Sequence, residues 1–221
     1  MANWLNLTFA GIDKWFFVSA SNLRAVAGEF FTPFFVFISA LGKGGIFFLV
    51  LGAVLLFFKK TRKAGLNVLL AVGVGALLTN VIIKNAVARP RPYNASAEYF
   101  EMWQAVGGHK EKEFSFPSGH VNVTMTSITA LFLNFNKKWS FSLYLLVLLM
   151  GASRMYLMVH YFSDVVGGII VGGISGVIAY YLTKAVYKGL EKGKNTAFCR
   201  GFLDFDIIYL LKRKKKDQTD E

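Results

Sequence analysis

The chain of 221 residues is 54% hydrophobic and only 17% charged, where soluble domains carry about 25% charge. That balance excludes an ordinary soluble domain and reads as an integral membrane protein. The formal charge of +12, with lysines gathered at the ends of apolar runs, points to loop topology and anionic headgroups rather than to nucleic acid.

The single Cys199 leaves no intrachain disulfide and no thiolate metal cluster to expect. The first twenty residues lack a basic-then-apolar leader pattern, so insertion through the chain's own helices is expected. Residues 1–21 read as a short interfacial segment anchored by Trp4, Trp15, Phe16 and Phe17. Asn22 to Leu41 is apolar but carries Arg24, Glu29 and Pro33. It reads as a kinked or partly inserted N-terminal helix. After the turn Gly42–Gly45, apolar runs follow at Ile46 to Phe58, Ala64 to Ile83, Gly119 to Phe135, Trp139 to about Val159 and Val165 to Tyr187. Between the second and third lies a polar loop, 85–116. The run from Gly119 carries Asn122, Thr124, Thr126, Ser127 and Thr129, which suits a helix inside the bundle. Gly168, Gly172 and Gly176 recur every fourth residue on the last run, a stripe suited to close helix packing.

The fold class expected is therefore all-α: a polytopic membrane helix bundle of five spans plus the N-terminal helix. Residues 1–187 form one membrane-embedded domain, and 188–221 a basic cytoplasmic tail holding Lys212 to Lys216 on anionic lipid. Alternation of the spans brings three polar clusters to one side. Lys59, Lys60, Arg62, Lys63, Lys137, Lys138 and the tail fall on the other, which the positive-inside bias assigns to the cytoplasm. The clusters then face outward.

The first cluster is Lys84-x6-Arg91-Pro92, a mobile ammonium and a planar guanidinium fork. Alone it is equally a basic cap on a span, and nearby Arg89 reads as a rim charge. The second is Pro117-Ser118-Gly119-His120. Ser118 suits an N-cap, Gly119 admits close approach of an oxyanion, and the first-turn N–H groups would face it. His120 is the residue there able to exchange a proton near neutral pH. A plain helix start explains the serine and glycine as well. The third is Ser153-Arg154-x5-His160-x3-Asp164. A carboxylate beside an imidazole fixes its tautomer and stabilises positive charge developing on it, although Asp164 also suits the N-cap of the last span.

In this order and spacing the three clusters resemble the type 2 phosphatidic acid phosphatase family. That family includes bacterial membrane lipid phosphatases and shares its site with soluble acid phosphatases and vanadium haloperoxidases. The resemblance covers about Gly42 to Tyr187; the ambiguous N-terminal helix departs from it. It implies hydrolysis of a phosphomonoester or diphosphate on a membrane lipid. His160 would be the nucleophile forming a phosphohistidine, oriented by Asp164. His120 would protonate the leaving group and then activate water. Lys84, Arg91, Ser118, Gly119 and Arg154 would bind phosphate. No cofactor and no metal is implied.

Undecaprenyl diphosphate, phosphatidylglycerol phosphate and phosphatidic acid are the leading substrates. The aromatics Tyr93, Tyr99, Phe100, Trp103, Phe114 and Phe116 read as a lipid-adjacent rim or interfacial belt. Lys110 and Lys112 alternate with Glu111 and Glu113, giving that patch no net preference. His109 reads as a loop residue near the mouth. A lipid phosphotransferase using the same residues, and a non-catalytic phospholipid-binding transporter, are the alternatives. Oligomeric state is not readable.

Overall fold

The computed structural model describes residues 1–209, and every regular element among them is a helix. In chain order these are α1 (Ala2–Thr8), α2 (Ala10–Gly42), α3 (Ile46–Leu56), α4 (Arg62–Ala76), α5 (Lys84–Val87), α6 (Ala97–Gln104), α7 (Gly119–Asn134), α8 (Lys137–Ser140), α9 (Tyr144–Tyr156), α10 (Phe162–Lys192) and α11 (Ala197–Asp204). A wider π-helical stretch, Leu77–Ile83, joins α4 to α5.

Helices α4, α7 and α10 form the centre. The glycine stripe of α10 lies directly on α7. A Cβ at Gly168 would sit 2.8 Å from the Ser118 carbonyl oxygen, one at Gly172 2.7 Å from Met125 Cβ, and one at Gly176 2.6 Å from Thr129 Cβ. The two helices run parallel. Helix α4 runs the other way, pairing its start with the end of α7. Asn67 Nδ2 donates to the Ala130 carbonyl (3.3 Å) and Thr126 Oγ1 to that of Ala71 (3.2 Å). Thr183 of α10 reaches Asn67 Oδ1 at 3.4 Å. The polar residues of α7 are thus interior: Asn122, Thr124, Thr126, Ser127 and Thr129 are all buried. Where water is absent, such groups are satisfied only by neighbouring helices. Apolar side chains such as Val50, Val54, Leu148, Ile170 and Ile174 point outward, as a lipid-facing surface requires.

Among the described residues, three helical stretches are long and apolar enough to cross a membrane: Ala10–Leu56, Arg62–Asn94 and Phe162–Lys192. The five expected spans are therefore not all recovered by this measure. Helix α7 has 16 residues and α9 has 13. At about 1.5 Å per residue both fall short of a hydrocarbon core about 30 Å thick.

The N-terminal segment is helical, and α2 is kinked, at Ala27 (φ −145°, ψ 34°), while Pro33 lies within regular helix. Both arms of α2 touch the same end of the bundle. Phe16 stacks on Phe162 at 4.8 Å, while Ser39 bonds Arg154 and a Cβ at Gly42 would lie 3.0 Å from His120. At the opposite end, α10 extends past Tyr187 to Lys192, and α11 folds under the α3–α4 turn. Arg62, expected as a loop cation, is buried there. It donates to the carbonyls of Phe202, Leu203 and Phe205, and Lys59 pairs with Asp204 at 3.0 Å. The tail after Lys188 is thus partly docked. The Lys212 to Lys216 run lies outside the described residues.

Candidate active site

All three polar clusters meet at one end of the bundle. Three cavities lie there, of about 340, 300 and 440 Å³. Lys84, Arg91, Gly119 and His160 line the first, Arg154 lines the second, and His120 faces both; Lys84, Arg89 and Arg91 border the third. The π-helical stretch delivers Lys84 inward, where it is 4% exposed. Gly119 opens α7, and its missing side chain leaves Lys84 Nζ 3.6 Å from where a Cβ would be. The positive end of the α7 dipole therefore points at the same space as the ammonium. Ser118 sits at the N-cap position but makes no capping bond; its Oγ is buried without a partner. A buried hydroxyl with no acceptor is a donor held ready for one. Arg154 Nε is likewise unpartnered.

His160 is 1% exposed and lies just before α10 rather than within it. Arg91 Nη1 approaches its Nε2 at 3.0 Å. A guanidinium only donates, so Nε2 accepts and carries no proton. Nδ1 then bears the hydrogen, 3.3 Å from Asp164 Oδ2. The imidazole is thereby held in the tautomer that keeps its lone pair on Nε2, engaged by Arg91. Burial first, and then the charges of Arg91, Arg154 and Lys84, hold its pKa well below the ordinary 6.5. Asp164 is the third residue of α10, not its N-cap, which is Tyr161. Its Oδ2 also takes Ser115 Oγ–H at 2.5 Å and Tyr161 N–H at 3.0 Å. A backbone bond from Ser118 N to the Asp164 carbonyl, 3.0 Å, ties the second cluster to the third.

Several residues read otherwise from the sequence prove central. Arg89 is no rim charge: it is fully buried, with Nη1 donating to Asp164 Oδ1 at 2.6 Å. Ser115 had no assigned part, and Asp13 lies far off in sequence. The glutamates of the 110–113 patch are not neutral bystanders. Glu113 pairs with Lys84, and Glu111 with Arg154. Arg91 Nε also donates to the Glu113 carbonyl at 2.9 Å. Two carboxylates thus occupy two of the clustered cations. The aromatic rim is mostly internal. Tyr93 and Trp103 are buried and stacked at 4.6 Å, Phe116 packs on Gly167, and of the group Phe100 and Phe114 face outward. His109 lines the second cavity and accepts Trp103 Nε1–H through its carbonyl. Among the described residues no group of His, Cys, Asp and Glu is arranged to hold a metal ion.

The PAP2 superfamily pattern matches residues 64–188, more than half of the chain, and contains all three clusters. The chain belongs to the PAP2 superfamily. An undecaprenyl-diphosphatase of Sulfolobus acidocaldarius is 30% identical over 138 residues, 62% of this chain and 63% of the relative. Phosphatidylglycerophosphatase B of Bacillus subtilis is 32% identical over 153 residues, 65% of this chain and 67% of that one. A crystal structure described as a transmembrane PAP2-type phosphatidylglycerolphosphate phosphatase from Bacillus subtilis superposes with a TM-score of 0.60. It is 26% identical and covers 81% of this PAP2 chain and 88% of that chain. The match thus spans less than two thirds of the Sulfolobus relative. Helices α1, α2 and α3 precede the PAP2 pattern.

Proposed function

We propose that this PAP2 protein hydrolyses a phosphomonoester or diphosphate on a membrane lipid through a phosphohistidine. The observation that carries the reading is the state of His160. It lines the cavity shared with Lys84, Arg91, Gly119 and His120, its unprotonated Nε2 is held by Arg91, and its Nδ1–H is turned to Asp164. In the first step Nε2 attacks phosphorus, the bond to the leaving oxygen breaks, and His120 gives that oxygen a proton. Asp164 stabilises the positive charge arising on the imidazole. In the second step water attacks the phosphohistidine, His120 takes a proton from it, and the N–P bond breaks to release phosphate. The cations, the Gly119 N–H and Ser118 hold the nonbridging oxygens as charge moves. Glu111 and Glu113 have to withdraw before a phosphate enters.

Undecaprenyl diphosphate and phosphatidylglycerol phosphate are favoured by the relatives' names, with phosphatidic acid beside them. A lipid phosphotransferase would use the same first step with an alcohol in place of water. For the membrane, we propose that α7 and α9 also cross, each lengthened at its ends by the loops and by α8. The support is that α7 packs along α10 from Gly168 to Gly176. With the three long stretches that makes five spans, α2 and α3 sharing the first, and the positive-inside bias then favours a site on the extracytoplasmic side of the cell membrane, opposite the basic ends. The deciding experiment is phosphate release from a panel of detergent-solubilised lipid phosphates and diphosphates, by wild type and by His160→Ala. Wild type should release phosphate and the variant none, with normal membrane insertion. Full turnover by the variant would overturn the mechanism.

A further inference from the structure

We propose that Arg89 and Asp13 are positioning residues for the His160–Asp164 pair, so that the N-terminal helices form part of the active centre. The inference rests on the phosphatase reading above. Arg89 spends its guanidinium on four side chains. Nη1 donates to Asp164 Oδ1 (2.6 Å) and Ser163 Oγ (2.7 Å), Nη2 to Asp13 Oδ2 (3.2 Å), and Nε to Asn6 Oδ1 (2.8 Å). The guanidinium also lies 3.8 Å over the Tyr161 ring. Two of these partners, Asn6 and Asp13, sit on α1 and α2, outside the PAP2 pattern.

Asp164 divides its oxygens. Oδ2 serves His160, Ser115 and the Tyr161 N–H, while Oδ1 is held by Arg89. The carboxylate cannot turn towards or away from the imidazole without breaking the Arg89 bond. Arg89 therefore sets its angle. Charge gives Asp13 its separate part. Arg89 alone would offset the negative charge that Asp164 presents to His160. Asp13, 3% exposed and paired to the same guanidinium, returns the buried group to a net of one negative charge. In a low-dielectric interior that charge is felt across the pair. It favours the imidazolium character that phosphorylation of His160 creates. Asp13 lines none of the cavities, and Arg89, its side chain fully buried, only borders the one shared by Lys84 and Arg91, so phosphate binding should not depend on Asp13.

The test is kinetic, on full-length protein in detergent, with inorganic phosphate as a competitive probe of the anion pocket. Asp13→Asn should lower kcat by about tenfold or more, while KM and the phosphate inhibition constant stay within about twofold. Arg89→Lys, which keeps the charge but loses the fork, should recover part of the turnover that Arg89→Gln loses. Asn6→Ala loosens Arg89 without leaving a charge unpaired, and should lower kcat by about two- to fivefold at unchanged phosphate inhibition. It decides the matter should the charge variants fail to fold. Wild-type kcat in folded Asp13→Asn or Asn6→Ala would overturn the proposal. So would a loss of phosphate inhibition in step with turnover. A wild type that releases no phosphate from any lipid fails the phosphatase reading instead.

Discussion

At the scale of single residues, the site turns on what His160 carries at each nitrogen. The bond from Arg91 to Nε2 and the direction of the pKa shift both demand a neutral ring with its hydrogen on Nδ1. The sign follows from the causes: burial and three neighbouring cations all disfavour the imidazolium. Nitrogen-15 NMR of histidine-labelled protein should therefore show His160 neutral, Nδ1-protonated, at pH 6.5 and below, where an ordinary histidine is half charged. The chain has only three histidines, so assignment needs few variants. Adding vanadate should raise the His160 pKa, because a bound anion offsets the cations that depress it. Protonation of His160 near pH 6.5 in the free protein would contradict the arrangement. By linkage, the depressed value also costs stability as pH falls from 6.5 towards the folded-state pKa, since the unfolded chain takes up the proton first.

Secondary elements govern access and alignment. The loop carrying Glu111 and Glu113 lays carboxylates on Arg154 and Lys84, the cations proposed to hold substrate oxygens. These side chains are 31% and 56% exposed, so solvent weakens each pair to about 0–1 kcal/mol. Such a contact yields to a phosphate while still competing with it. The double variant Glu111→Gln, Glu113→Gln should tighten competitive inhibition by inorganic phosphate about two- to fivefold, the equivalent of up to about 1 kcal/mol. Unchanged inhibition would mean that the loop does not compete. Gly172 presents the contrasting case of an interface with no slack. A side chain there meets Met125 Cβ at 2.7 Å and the Asn122 carbonyl at 2.8 Å. Gly172→Leu should cost about 1–3 kcal/mol in detergent thermal unfolding, with Gly73→Leu, where a Cβ meets nothing within 4 Å, as the tolerated control.

For the whole molecule, the sequence revealed what short-range spacing encodes. Lys84 and Arg91, Ser118 to His120, and His160 with Asp164 each lie within one loop or helix turn, and their chemistry shows in order and interval. The buried polarity of α7 and the glycine stripe of α10 were legible for the same reason. Arg89, Asp13 and Glu111 were not. Their meaning comes from partners 43 to 76 residues away. A lone arginine or glutamate reads identically whether it ends at a rim or in a core. Helix α7 matches its apolar run to within one residue, while the run from Trp139 to about Val159 takes in α8 and a short 3-10 turn before α9, a break that apolar composition does not mark. Orientation is tested by a cysteine at the exposed Glu101 in protein lacking Cys199. A membrane-impermeant maleimide added to intact cells should label it, and labelling only after lysis would reverse the topology.

The glycine contact between α7 and α10 has a metrical consequence. His120 rides at the head of one helix and His160 just ahead of the other, and the Gly168, Gly172 and Gly176 notches lock the two rods in one register. A slip of one residue would displace the proposed proton donor from the proposed nucleophile by about 1.5 Å along the axis. An error of about 1 Å in a reacting geometry is enough to cost about a hundredfold in rate. The stripe thus acts as a calliper: the span between the two histidines is set by packing up to about four helical turns below them.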